Sequence, residues 1–497
     1  MGGGSSGKAA FFHGLARGQV LAVEIESLAA GGHGVARANG VPVFVARVAP
    51  GDLAEIELVD VRKDFARGRL LKVLERSEQR VEPPCKLFKI CGGCQWQHIS
   101  YDRQLEAKTD LVRQAVKRIG GLDPGIVGRT IAAAEPFFYR NKVQFPVAHP
   151  RGSTRILAGY YEQDSHDLVN IKHCPVQPEP LDRVLEATKD LCQQYKISAY
   201  DETKGAGLLR HITARFSFDR REALVTLVVN AATGAGGRGR AGQVVDLDVM
   251  RALAGKIIKR VPEVAGVCLN FNPDAGNRIF GDKTICLAGE PYVSERLATR
   301  RPDLPARLRD GFEFRLSPTS FFQVHTDQAS RLMELVVEAA VPGPPGEAPL
   351  PLVVDAYAGV GAIAFWLSTV ACRVLAVEEH AQAVADGQVN RELNGIENVE
   401  FRCGAVESVL PQLAASGLNP QVIVLDPPRK GLSPEAMAAT VALRPARIVY
   451  VSCNPATLAR DLKILVINGY MTKQVQPIDM FPQTYHVESV AVLERRP

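Results

Sequence analysis

Cys453, Asp426 and Glu488 are the side chains of this 497-residue chain whose settings suit covalent and acid–base chemistry. Cys453 stands in Tyr450-Val-Ser-Cys-Asn-Pro455, directly after an apolar run that reads as a buried strand. A thiol at a strand exit, oriented by an Asn-Pro turn, can attack an electrophilic carbon once ionised. Asp426 opens Asp-Pro-Pro-Arg-Lys-Gly431 after the run Val422-Ile-Val-Leu. Its two prolines stiffen an extended loop, and Arg429 and Lys430 place cations beside the acid. Glu488, in Phe481-Pro-Gln-Thr-Tyr-His-Val-Glu488, lies where a last strand begins, with His486 and apolar neighbours around it. Such surroundings raise a carboxyl pKa toward that of a general base. Each residue also has a plainer reading: an inert buried thiol, a turn acid, a surface acid.

A second constellation surrounds Asp355-Ala-Tyr-Ala-Gly-Val-Gly-Ala-Ile-Ala364. Gly359, Gly361 and Ala364 satisfy G-x-G-x-x-G/A between a strand and a helix, and Glu378 ends the next strand where an acid holds ribose hydroxyls. The loop alone serves NAD or S-adenosylmethionine equally. Asp355 favours the second, because an acid at the strand end repels a pyrophosphate and suits an ammonium.

Ten cysteines in 497 residues are too sparse for a disulfide framework. Cys85, Cys91 and Cys94 form C-x5-C-x2-C, and Cys174 in Lys-His-Cys-Pro can complete a four-thiolate set. The spacing fits structural zinc and an iron–sulfur cluster equally. It is not the C-x3-C-x2-C pattern of radical enzymes. The isolated Cys192, Cys268, Cys286, Cys372 and Cys403 read as small buried hydrophobes.

The elements that must position these groups fall into three regions, the number expected from length. Between Gly18 and Leu74, short alternating runs separated by Gly31-Gly-His-Gly34, Asn39-Gly40 and Pro50-Gly-Asp52 read as a small β-barrel. Arg62–Lys72 sets basic residues around Phe65, suited equally to phosphate and base contacts or to a solvated edge strand. A less legible middle carries a helix from Tyr101 to Ile119, capped by Gly120-Gly121, and strands at 223–230 and 267–271. After the Pro-rich connection 342–351, apolar runs at 352, 373, 422 and 447 alternate with helix-forming stretches. That is the grammar of a largely parallel sheet buried on both faces. The expected division is a tail 1–13, a barrel 14–76, an α+β domain 77–315 bearing the cysteines, and a Rossmann-like domain 316–497. The Gly-rich stretch 231–241 is expected to be a loop. With 46% hydrophobic and 23% charged residues, wholesale disorder is excluded, and a net charge of +5 neither requires nor forbids an anionic partner. No apolar run approaches the ~20 residues of a membrane span and the amino terminus lacks a secretion signal, so a soluble, cytoplasmic protein is expected.

Taken together, these stretches resemble the RNA uracil-5-methyltransferase family. The resemblance rests on Ser320-Phe-Phe-Gln-Val324, Asp355–Gly361, Asp426–Gly431, Ser452-Cys-Asn-Pro-Ala-Thr-Leu-Ala-Arg-Asp461 and Phe481–Glu488 in that order, with an amino-terminal barrel similar to the TRAM RNA-binding domain. The resemblance implies that Cys453 is the nucleophile, that Glu488 accepts the proton, and that Gln323, Tyr357, Glu378 and Asp426 contact S-adenosylmethionine. It also implies a [4Fe-4S] cluster on Cys85, Cys91, Cys94 and Cys174, with zinc as the alternative, and a structured RNA substrate, ribosomal (23S type) ahead of transfer RNA. Ala362 and His325 stand where the family often has Asn, so no cofactor amide is expected at 362. A cytosine-C5 methyltransferase and a non-catalytic RNA-binding iron–sulfur module are the competing readings. A dehydrogenase rests on the glycine loop alone, and an amino-group methyltransferase would carry an aromatic where Arg429 stands. The expected oligomeric state is a monomer.

Overall fold

The computed structural model describes residues 14–150, 152–232, 245–341 and 348–497. The expected tail 1–13, most of the Gly-rich loop and much of the Pro-rich connection lie outside them.

Strands β1 to β6 are Val20–Glu24, Ser27–Leu28, Gly34–Ala38, Val41–Val45, Leu53–Val61 and Ala66–Glu75. They form one six-stranded sheet in the order β1-β5-β6-β4-β3-β2. Alternate residues such as Val23, Val43, Ile56, Leu58 and Ala66 close a core of their own. The basic stretch around Phe65 is not an edge strand, because β6 pairs with β5 on one side and β4 on the other. The barrel docks through buried Asp52, whose carboxylate meets Arg80 at 2.5 Å, and through Gly32. Gly32 has φ +84, its carbonyl accepts the Trp96 indole N–H at 3.1 Å, and a Cβ there would lie 2.6 Å from Gln95.

The middle is more ordered than its sequence indicates. Strands β7 to β13 (Lys142–Ala148, Leu157–Tyr161, Leu168–Asn170, Leu209–Phe216, Ala223–Val229, Val264–Phe271 and Lys283–Gly289) form a sheet ordered β13-β12-β11-β10-β7-β8-β9. Helix α1, Tyr101–Ala115, continues into a wider turn to Gly120 and stops at left-handed Gly121. Helices α2 (Glu179–Gln194) and α3 (Leu247–Arg260) bury Leu181, Leu185, Leu253 and Ile257 in the core of this sheet. Hairpin strands β14 and β15, Val293–Leu297 and Phe312–Leu316, flank the short helix α4, Ala306–Asp310, and share a core with the region that follows.

That region holds β16 (Val353–Ala356), β17 (Val374–Glu378), β18 (Val399–Cys403), β19 (Val422–Leu425), β20 (Arg447–Ser452), β21 (Tyr470–Ile478) and β22 (Glu488–Arg495). Its helices are α5 (Thr326–Ala340), α6 (Ala362–Leu367), α7 (Ala381–Leu393), α8 (Val406–Ala415), α9 (Pro434–Ala442) and α10 (Pro455–Ile467). In the order β18-β17-β16-β19-β20-β22-β21 five parallel strands are followed by antiparallel β22, and β21, antiparallel to β22, runs in the direction of the first five. Strand order reverses at β16, so the crevice beyond its carboxyl end is where such sheets bind ligands.

The isolated cysteines do not behave as one group. Cys192 and Cys268 are buried, but Cys286, Cys372 and Cys403 are exposed. Cys286 and Cys403 lie on edge strands and Cys372 in a turn, positions that cannot bury both faces of the chain. Among the described residues no helix is long and apolar enough to cross a membrane.

Candidate active site

The carboxyl ends of β16, β17, β19 and β20 deliver Asp355, Tyr357, Glu378, Asp426 and Cys453 to one crevice. Asp355 is 0% exposed, and among the described residues neither carboxylate oxygen meets hydrogen-bond geometry with a donor, although the Ala364 backbone N–H lies near enough to oppose the rise in its pKa. Burial, then the neighbouring Asp426, pushes its pKa well above the usual carboxylate range. Tyr357 follows in a left-handed conformation, φ 67°, unusual for a bulky residue and the kind of strain that collects at functional sites. Its hydroxyl donates to Glu407 at 3.3 Å, and burial raises its pKa. The turn closes at Gly361, φ 89°, where a Cβ would lie 2.8 Å from Phe401.

Glu378 holds this turn. It accepts the Gly359 amide at 2.9 Å and the His380 backbone and ring N–H groups at 2.9 Å each. A carboxylate has about four acceptor sites, so one remains for a ligand hydroxyl. Asp426 donates its backbone N–H to the Ala356 carbonyl at 3.3 Å, and burial pushes its carboxyl up to about 7.

Cys453 is half-buried one residue past β20. Burial and the charge of Glu488 push its thiol up to about 11, against the opposing pull of the nearby Arg429 guanidinium. Arg429 is held from behind, its carbonyl accepting the Asn454 amide N–H at 3.1 Å and the Thr457 hydroxyl at 3.2 Å. Asn454 also caps α10 by accepting the Ala456 amide at 3.1 Å. Further along the loop, buried Asp461 accepts the Leu432 amide at 2.9 Å and the Tyr450 hydroxyl at 2.6 Å. The strand, Cys453 and the Asp426–Leu432 loop are therefore one fastened unit.

Glu488 is 4% exposed, not a surface acid. Burial and Asp426 raise its pKa well above the usual value, with Arg429 opposing. His486 is pushed down to about 4 by burial and by Arg429, so the ring is neutral at pH 7. Gln323 sits on the segment leading into α5, its carbonyl accepting the Asn141 side-chain amide at 3.0 Å. Among the described residues no hydrogen bond joins its side chain to Tyr357, Glu378 or Asp426. His325 caps α5 and stacks on Tyr139 at 4.6 Å.

Cys85, Cys91, Cys94 and Cys174 line a cavity of about 200 Å³ with Arg140 and Tyr160. Burial pushes Cys94 up to about 12 and raises Cys174 as well. Asp182 of α2 fixes the second segment, accepting the Cys174 amide at 3.2 Å and a Gln177 N–H at 2.7 Å. Among the described residues no three His, Cys, Asp or Glu side chains converge tightly enough to hold a single metal ion.

Sequence reasoning misses the supports of the Phe481–Glu488 segment. Tyr101, Gln104 and Lys108 form a polar stripe on the inner face of α1 and meet Asp479, Phe481 and Gln483. Their i, i+3, i+7 spacing is the signal that points to them.

A half-buried thiol, buried acids and a glycine turn lie at the switch point of a Rossmann-like sheet joined to an amino-terminal barrel, and comparison with known proteins makes this an S-adenosylmethionine-dependent methyltransferase acting on RNA. The family model described as tRNA (uracil-5-)-methyltransferase matches residues 291–496, and the TRAM domain model matches 14–71. The chain is 42% identical over 482 residues to a protein named uncharacterized RNA methyltransferase from Gloeobacter violaceus, covering 97% of this chain and 98% of that one. A like-named protein from Halalkalibacterium halodurans is 39% identical over 478 residues, covering 96% and 97%. The crystal structure of Pyrococcus abyssi tRNA (uracil-54, C5)-methyltransferase with S-adenosyl-L-homocysteine superposes with TM-score 0.69 at 26% identity, covering 95% of this chain and 100% of that one. The chain belongs to the RNA (uracil-5-)-methyltransferase family.

Proposed function

We propose that the protein methylates C5 of a specific uridine in structured RNA, 23S ribosomal RNA being the favoured substrate, through a covalent adduct between Cys453 and C6 of the ring. Uracil C5 is too weakly nucleophilic to take a methyl group unaided. Addition of the Cys453 thiolate across C5–C6 forms an S–C6 bond and leaves an electron-rich enolate. S-adenosylmethionine supplies the methyl group as an electrophile. Glu488 then takes the C5 proton, the C5–C6 double bond re-forms, and the thiolate leaves. Arg429 stabilises the thiolate on its way in and out. The target base has to leave its stack to reach the crevice.

The cofactor contacts in this reading are Gln323, Tyr357, Glu378 and Asp426, with buried Asp355 beneath them. The barrel 14–76 and central domain 77–315 hold RNA around the catalytic domain 316–497. The cavity at Cys85, Cys91, Cys94 and Cys174 holds a [4Fe-4S] cluster. Its four thiols would be the ligands, zinc being the alternative, and the support for this assignment is that all four cysteines line one cavity.

The observation that carries the reading is Cys453 just past β20 beside Glu488 at the start of β22, with the Arg429 guanidinium near enough to lower the thiol pKa. The test is Glu488→Gln incubated with S-adenosylmethionine and RNA. A protein–RNA adduct stable on denaturing gels is expected, because the ring is methylated but cannot eliminate. No adduct means Glu488 is not the base. A transfer RNA substrate is the second reading, favoured by the substrate named for the Pyrococcus enzyme. Mapping 5-methyluridine in RNA from a deletion strain separates the two.

A further inference from the structure

We propose that the ion pair Lys108–Asp479, with the amide pair Gln104–Gln483 one helical turn away, positions the base by fixing the 479–487 loop so that Glu488 opens onto Cys453. This rests on the reading above, in which Glu488 takes the C5 proton.

Strand β21 ends at Ile478, which pairs with Glu488 at the start of β22. The intervening loop must leave and return at that one point. Asp479, the first residue of the loop, turns inward, and its carboxylate meets the Lys108 ammonium at 2.5 Å with both side chains fully buried. Its second oxygen accepts the Tyr101 hydroxyl at 3.1 Å, and its carbonyl accepts a Gln328 side-chain N–H at 2.9 Å. Lys108 also donates to the Phe481 carbonyl at 3.0 Å. One turn earlier on α1, Gln104 exchanges two 3.0 Å hydrogen bonds with Gln483, donating to its side chain and accepting its backbone N–H. The amides of Gln95 and Trp96 donate to the Gln483 carbonyl from the cysteine-bearing segment.

A buried ion pair adds little net stability over apolar groups of equal size, while its directional partners select one arrangement. The arrangement selected here sets the starting residue of β22. Lys108 and Asp479 touch neither the nucleophile nor the crevice acids, so they are positioning residues. A base displaced by about 1 Å loses on the order of 10²-fold in rate.

The test is the charge-free double variant Lys108→Met/Asp479→Asn in the full-length enzyme, with Glu488→Gln as reference. The expected result is a wild-type melting temperature and S-adenosylhomocysteine affinity, kcat lowered ~10-fold or more with KM little changed, and a protein–RNA adduct that accumulates on denaturing gels. Wild-type turnover, or slow turnover without adduct, overturns the inference. If the double variant does not fold, Gln104→Met is read in the same way: adduct accumulation supports the inference and its absence overturns it. If Glu488→Gln itself gives no adduct, the assignment of the base fails and the inference fails with it. Adduct from Glu488→Gln but not from the positioning variants sinks the inference alone.

Discussion

Cys453 and Glu488 lie close together at the end of the β20–β22 ladder. The antiparallel register ends with Ser452 paired to Ser489; Cys453 is the next residue after β20, Glu488 begins β22, and the Glu488 carboxylate raises the Cys453 thiol pKa. A sulfur and a carboxylate so placed can address neighbouring carbons of one flat ring. In the proposed reaction that proximity would serve addition at C6 and deprotonation at C5.

Cys453→Ala is expected to lower methyl transfer by on the order of 10⁴-fold, the scale seen when a covalent nucleophile is removed. Cofactor affinity should be unchanged, because the acids that would contact the cofactor lie on β16, β17 and β19. Methyl transfer to RNA and calorimetric titration with S-adenosylhomocysteine check the two halves. Substantial residual turnover rejects the adduct.

Arg429→Gln removes the cation that opposes the upward push on the Cys453 thiol. The thiol should then titrate above its present value of about 11. Iodoacetamide alkylation of Cys453 should need more alkaline pH, and methyl transfer should fall ~10-fold or more, in line with loss of the opposing charge. An unchanged alkylation profile would show that Arg429 does not tune the sulfur.

The four inner parallel strands β16, β17, β19 and β20 are legible in the sequence because burial on both faces makes each a continuous apolar run, with a chemistry-bearing residue at or just past its end. β18 and β21 are not legible for the converse reason. They are edge strands, and Val399-Glu-Phe-Arg-Cys403 and the Thr472-Lys-Gln-Val-Gln476 stretch carry polar residues on the solvent face. The basic stretch at 62–72 misleads because charges on the outer face of a paired strand look the same as charges on an edge. Cys453, Asp426 and Glu488 are readable as local patterns. The Lys108–Asp479 pair is not, since its members lie 371 residues apart and no local pattern joins them.

Asp355 gives a pH prediction. Its pKa in the folded chain lies well above that of the unfolded chain. The folded state therefore holds the proton longer, and stability present below about pH 4 is lost as pH rises toward the folded-state value. Asp426 and Glu488 act in the same sense. The melting temperature of the ligand-free protein should fall between about pH 4 and pH 7. Asp355→Asn should flatten that fall and raise the melting temperature at neutral pH, while weakening S-adenosylmethionine binding ~10-fold, as expected for loss of a buried charged contact. A pH scan of thermal melting and a binding titration check both signs. A variant that is less stable at pH 7 would mean that the acid is paired.

The four-cysteine cavity gives the last prediction. Left as thiols, Cys94 and Cys174 are buried groups with raised pKa values, and Cys85 and Cys91 shift the same way. Four such thiols around a cavity of about 200 Å³ make poor packing on their own. In the proposed assignment, a bound metal group would deprotonate them and turn that cost into a staple between the 85–94 segment and the Cys174 turn held by Asp182. Protein purified without oxygen should be brown and contain iron and acid-labile sulfide. Cys174→Ser should lose iron and lower the melting temperature, with methyl transfer falling as a consequence because Gln95 and Trp96, next to Cys94, hold the loop that leads to Glu488. Stoichiometric zinc without sulfide would overturn the cluster and keep the staple. Full activity in metal-free Cys174→Ser would remove both.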